Sequence, residues 1–159
     1  MFRTNILMTS KSKNKNKKNI KINSGQLLIV FVVFSVLGWG LDTAYRSLTS
    51  GYYNPGGFTV LPFSPIYGFG ALIILEICHY IRHLNIWLRA LIYALVLTIF
   101  EYISGIFVVI VYGRRLWDYS ASFFNLNGHV DLVHFIFWGL LAIIFEVYLY
   151  GKMVYYIKI

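Results

Sequence analysis

The sequence predicts an all-α, polytopic membrane protein of about four transmembrane helices joined by irregular loops, and three observations lead there. Of its 159 residues, 58% are hydrophobic and 19% aromatic, while only 13% are charged; so few charges do not cover a water-facing surface. The apolar residues fall into four blocks, each near the ~20 residues a helix needs to cross a hydrocarbon core. All six acids, Asp42, Glu76, Glu101, Asp118, Asp131 and Glu146, lie inside or at the edge of those blocks, where a solvated face would not put them.

The net charge of +8 belongs to one end of the chain, since seven of the fourteen Lys and Arg fall in the first 21 residues. Residues 1–25, with the run KSKNKNKKN, hold too little apolar surface to offset chain entropy and are expected to be a disordered basic tail. Beside a membrane such a tail is drawn to anionic lipid at roughly 1 kcal/mol per basic residue, which makes lipid rather than nucleic acid its partner. The apolar run that follows has no small-x-small cleavage site before Asp42 and is read as a retained anchor. Cys78 is the only cysteine, so neither an internal disulfide nor a cysteine-based metal cluster forms.

Residues 26–159 are expected to be one membrane domain, with helices at about Gln26 to Leu48, Ile66 to His83, Ile86 to Tyr112 and Val130 to Gly151. SGYYNPGGFTVLPFSP, between the first two, contains all three prolines and is expected to be a shaped loop that partly dips into the membrane. The second and third helices are joined around Leu84 and Asn85 as an antiparallel hairpin. GRRLWDYSASFFNLNGH, before the fourth helix, alternates polar and aromatic residues as a segment at headgroup depth does.

In this arrangement eleven Lys and Arg face one side and three, Arg46, Arg114 and Arg115, face the other. The positive-inside rule then places both termini in the cytoplasm and the two long loops together on the outer face.

An ionisable group in hydrocarbon costs about 2.5 to 3.5 kcal/mol, so each intramembrane acid is a site candidate. Glu101 is the deepest, and Thr98, Ser104 and Gly105 share its face. It reads either as a carboxyl hydrogen-bonded across a helix interface or as a proton- or substrate-binding group. Asp42 and Arg46, four apart, either pair within their helix or open inward toward Arg114, Arg115 and Asp118, with His129, Asp131 and His134 close by. Tyr67, Trp117 and Tyr119 offer flat amphipathic surfaces on the loop side. Glu76, His79 and His83 form one helical stripe, which supplies too few ligands for a metal site, and Glu146 reads as a packing or interface residue. No metal and no cofactor is expected. There is no P-loop, GxGxxG, HExxH or GxSxG motif, so an ATPase working with this chain would be another polypeptide.

The stretches GWGLDTAYRS, PIYGFGAL (Pro65 to Leu72), FEYISG around Glu101, WDYS (Trp117 to Ser120), FNLNG and WGLL (Trp138 to Leu141) occur in that order. In this the chain resembles the bacterial ABC-transporter type IV membrane proteins from about Gly38 to Leu141. Asp42 stands where that family usually has Glu. Asn54, Pro55, Gly56, Gly57 and Phe58 replace its Asn-Arg-Gly-Phe, and Gly128, His129, Val130, Asp131 and Leu132 replace its Gly-Arg-Ile-Cys-Leu. The resemblance implies a transport-related, permease-like role in the cytoplasmic membrane, with a separate ATPase subunit or a second copy of the chain as partners besides lipid. The residues expected to meet substrate are Asp42, Arg46, Tyr67, Glu101, Trp117, Asp118, Tyr119 and Asn125. The rival reading is a membrane enzyme or accessory subunit working on an amphiphilic substrate at the outer leaflet, with Asp42, Asp118, Asp131 and His134 as acid and base groups.

Overall fold

The computed structural model describes residues 24–56 and 61–150. The basic tail therefore lies outside the described residues, up to its last two positions, which already belong to the first helix. The helices are α1 (Ser24–Ser50), α2 (Pro65–Ile81), α3 (Ile86–Tyr112) and α4 (Leu132–Ile144), which runs on as a π-helical segment, Phe145–Tyr150. Among the described residues there is no strand, only a single bridge between Leu126 and Val130.

α1 and α3, at 27 residues each, are about 40 Å long and are, among the described residues, the two helices long and apolar enough to cross a membrane. α2, at 17 residues, and α4, at 13, are shorter than the expected full spans. In α4 the difference arises because its last turns open into the π-helical segment. α3 has the bounds read from the sequence, and its ends show why. Asn85 caps the start by accepting the Leu88 N–H, and Gly113 ends it in the left-handed conformation, φ 68°, with its N–H on the Val109 carbonyl.

α2 is short for a different reason. After Ser50 the chain runs back along α1 instead of crossing above it. Asn54 N–H donates to the Ser47 hydroxyl, Gly56 N–H to the Thr43 hydroxyl at 2.9 Å, and Ser64 N–H to the Ser35 carbonyl at 2.9 Å. Fifteen residues of α1 separate Ser50 from Ser35, about 22 Å along the axis. The described parts of the connection thus lie along α1, which accepts three of their backbone N–H groups, and α2 begins halfway down its partner with Pro65 in the first turn, where a missing N–H does no harm.

The helices pack as two close antiparallel pairs, α1 with α2 and α3 with α4, and α2 also touches α3. Small residues permit the approach. A Cβ on Gly68 would overlap the Phe31 carbonyl and Ser35 hydroxyl of α1, one on Gly38 would overlap the Tyr67 ring, and one on Gly139 would lie 3.0 Å from the Ala90 carbonyl of α3. The core between the pairs is formed by Val30, Ile74, Leu75, Cys78, Tyr93, Leu97, Trp138, Ala142 and Phe145. Outward-facing Leu28, Val33, Ile99, Ile103 and Ile110 are exposed while Glu101 is 3% exposed. That inversion suits a bundle surrounded by lipid.

Candidate functional site

At the end of the bundle where α1 and α3 finish lies a cavity of about 280 Å³, at the small end of the ligand-pocket range of ~300–1,000 Å³. All four helices reach it. Asp42 and Arg46 come from α1, Tyr67 and the residues just before it from the start of α2, Glu101 and Ser104 from α3, and Trp138 from α4; Trp117 and Tyr119 enter from the α3–α4 loop. The floor lies deep because α2 starts deep. The low start of α2 leaves room above its first turn, and side chains of the other helices line it.

Glu101 is the most constrained polar group. Its Oε2 accepts the Trp138 indole N–H at 2.8 Å and its Oε1 accepts the Tyr119 hydroxyl at 3.2 Å. Trp138 tilts against Tyr67, with ring centroids 5.4 Å apart. Tyr119 is stacked on His134 at 3.9 Å and 20° between planes, so its hydroxyl is aimed by a ring that is itself held. Burial, with Glu101 nearby, pushes the Tyr119 phenol well above its ordinary pKa, which keeps it a donor.

His134 is oriented from α4. Asp131 caps that helix, accepting the His134 backbone N–H at 2.7 Å, with the imidazole Nδ1 also at 2.7 Å from the same oxygen. Burial works against the Asp131 carboxylate, but the hydrogen bonds from His134 outweigh it and hold its pKa below the usual range. His129 is pushed below its ordinary value, first by burial and then by the Arg115 charge.

Asp42 and Arg46 form the intrahelical pair at 3.0 Å, and both also line the cavity; Arg115 and Asp118, toward which Asp42 would open in the other reading, pair with each other instead. The Arg46 guanidinium reaches further and donates to the Leu116 carbonyl at 3.1 Å, clamping the α3–α4 loop to α1. Gly56 packs directly on Asp42, where a side chain would collide with the carboxylate.

Six of the eight residues expected to meet substrate therefore converge: Asp42, Arg46, Tyr67, Glu101, Trp117 and Tyr119. Asp118 and Asn125 do not line the cavity. Asp118 is exposed and accepts from Arg115 and Ser120, and those hydrogen bonds, Ser120 foremost, lower its pKa. The Asn125 amide folds its own loop, donating to the Ser120 and Ser122 carbonyls while its oxygen accepts the Gly128 N–H. Trp138 stands out in the sequence only as the first residue of the WGLL stretch. The signal was present, since a buried indole N–H on an apolar helix requires an acceptor and Glu101 is the mid-helix carboxylate available. Of the groups considered for acid–base chemistry only Asp42 reaches the cavity; Asp118, Asp131 and His134 lie outside it.

A second polar cluster occupies the opposite end. Glu146, 5% exposed, pairs with Arg89 at 2.5 Å, lies 3.9 Å from Arg82, and accepts the hydroxyl of Tyr93, itself fully buried. Leu97 and Ala142 of the core lie between the clusters along α3 and α4. Glu76, His79 and His83 are exposed, and the Glu76 carboxylate accepts from Tyr80.

An all-helical bundle in which two of the described helices are long and apolar enough to cross a membrane suits a membrane protein. The family model described as "Putative ABC-transporter type IV" matches residues 29–159, and the chain belongs to that family, the one its motifs pointed to. No curated protein and no solved structure matches the chain.

Proposed function

We propose that the protein is a permease-like membrane component of a transport system, captured with its substrate cavity open toward the outer face. The observation that carries this reading is the cavity itself, in which side chains of all four helices and the α3–α4 loop converge on the buried Glu101. A helix that starts at mid-depth beside a polar pocket is a feature of transporters with discontinuous helices. The Glu146–Arg89–Tyr93 cluster supplies the second polar layer that a route to the other face needs.

In this reading the chain crosses the membrane four times. α1 and α3 span outright, α4 does so with its π-helical continuation, and α2 completes a span together with the re-entrant segment. The eleven-to-three distribution of Lys and Arg supports cytoplasmic termini. Family membership supports association with other transporter components, an ATPase among them.

Affinity purification of the full chain from native membranes tests this. An ATPase subunit is expected to co-purify, with its ATPase rate stimulated in proteoliposomes that contain both proteins. Recovery of the chain alone from mildly solubilised membranes, with no associated ATPase, overturns the reading.

A further inference from the structure

The cavity's electrostatics are unequal. Arg46, the one cation among the described residues that line it, is paired with Asp42 and spends a further donor on the Leu116 carbonyl. Of the three buried carboxylates, Asp131 has His134 and Glu146 has Arg89. Glu101, equally buried, has no basic partner among the described residues; its two hydrogen bonds come from the neutral Tyr119 and Trp138. Each carboxylate oxygen keeps a further acceptor position, and the group lines the cavity. The cavity is also lined by the rings of Tyr67, Trp117, Tyr119 and Trp138, and Tyr119 and Trp138 touch Glu101 directly.

A buried carboxylate with no basic partner, beside a cavity lined by four tyrosine and tryptophan rings, is complementary to one kind of charge. An anionic ligand would meet Glu101 with no free cation to offset it. A neutral apolar ligand would cover the carboxylate without replacing its water. A cation with an apolar body satisfies the carboxylate and the rings together.

Resting on the permease reading of the same site, we propose that the cavity binds an organic ammonium cation, with Glu101 as counter-ion and the tyrosine and tryptophan rings as its walls. The ammonium group comes either from a free amine or from a lipid headgroup. Arg46 acts as a positioning residue that holds Asp42 and the α3–α4 loop around the pocket.

The test measures equilibrium binding of radiolabelled choline to the purified full chain in detergent, with 3,3-dimethylbutan-1-ol, its uncharged isostere, as competitor. Saturable choline binding that the alcohol fails to displace is expected, and Glu101→Gln weakens it about tenfold or more, as losing a charge-assisted contact does. Tyr119→Phe keeps a ring on the wall and retains binding, whereas Tyr119→Leu weakens it severalfold; this loop pair serves if the Glu101 variant does not fold. Absence of saturable choline binding, displacement by the alcohol at equal concentration, or equal affinity in the Phe and Leu variants each overturns the proposal.

Nanodiscs separate the two sources. Weaker apparent affinity for choline in phosphatidylcholine nanodiscs than in nanodiscs of an uncharged glycolipid without an ammonium group assigns a lipid headgroup, and equal affinity assigns a free amine. Glu101-dependent choline binding without a co-purifying ATPase leaves the cation site standing and removes the permease role; a co-purifying ATPase with no choline binding does the reverse.

Discussion

Trp138 of α4 donates its indole N–H to the Glu101 carboxylate of α3 at 2.8 Å, joining the two helices at the floor of the cavity. The bond gives the indole of an apolar helix its acceptor and supplies one of the two donors that meet an acid near the middle of a 27-residue helix. Trp138→Phe keeps the ring and removes the donor. It is expected to lower stability by about 1 to 3 kcal/mol, the usual loss when a buried charged or polar partner is left unmet. Thermal unfolding in detergent measures it, and a midpoint equal to wild type would show that the carboxylate finds another donor.

The same burial sets the tolerance of position 101. Glu101→Gln keeps a hydrogen-bonding shape and is expected to insert and fold, while Glu101→Lys is expected to abolish accumulation of inserted protein. Quantifying membrane-integrated protein by carbonate extraction decides it. Normal accumulation of the Lys variant would place the side chain in water or at headgroups.

Helix approach depends on missing Cβ atoms at particular glycines. Gly68→Val is expected to destabilise the α1–α2 pair by at least about 1 to 3 kcal/mol through overpacking and to broaden the gel-filtration profile. Gly40→Ala, on the same helix as Gly38 but with nothing within 4 Å of the added methyl, is expected to be neutral. Equal behaviour of the two variants would remove the close-packing account.

Arg89 compensates the Glu146 charge in a nearly dry site. Arg89→Ala is expected to cost about 3 to 5 kcal/mol, mostly from the carboxylate left behind. Arg89→Met with Glu146→Met, an apolar pair of similar volume, should recover much of that. A double variant no better than the single one would shift the compensation to Arg82, 3.9 Å from the same carboxylate.

Asp131 links stability to acidity. Its pKa in the folded protein is depressed by the His134 hydrogen bonds, so the folded state binds its proton less readily than the unfolded chain. The resulting stabilisation is fully present above the unfolded carboxylate value of about 3.9 and is lost as pH falls through the folded value. Asp131→Asn preserves an N-cap and is expected to flatten the decline of unfolding midpoint below about pH 4. An unchanged acid limb in that variant would assign the decline to other carboxylates.

The run of hydrogen bonds from Ser47 to Ser35 has no counterpart in the periodicity of the chain. Apolar block length identified α1 and α3 because spanning helices are a local matter of length, hydropathy and caps, as Asn85 and Gly113 show. The proline-rich segment announced a loop, but its descent along α1 depended on hydroxyls of Ser47 and Thr43 that no spacing rule connects to Asn54 and Gly56. In the candidate site, Glu101 was legible as an acid far from any helix end, and Asp42 with Arg46 as a pair four apart. Asp118 and Asn125 carried equally suggestive chemistry in their segment, yet loop closure consumed both.

Composition and the apolar blocks alone already pointed to helices and to a membrane, because length and hydropathy are local properties of a segment; of the acids expected inside, Glu101, Asp131 and Glu146 are buried, whereas Glu76 and Asp118 are exposed. Which acid faces which donor was settled only in three dimensions. Glu101 meets Trp138 and Tyr119, and Glu146 meets Arg89 and Tyr93, through contacts between residues 18 to 57 positions apart. Such contacts depend on how deep α2 starts and how closely glycines let the helices approach, and that is a property of the packed bundle, with no trace in any single segment.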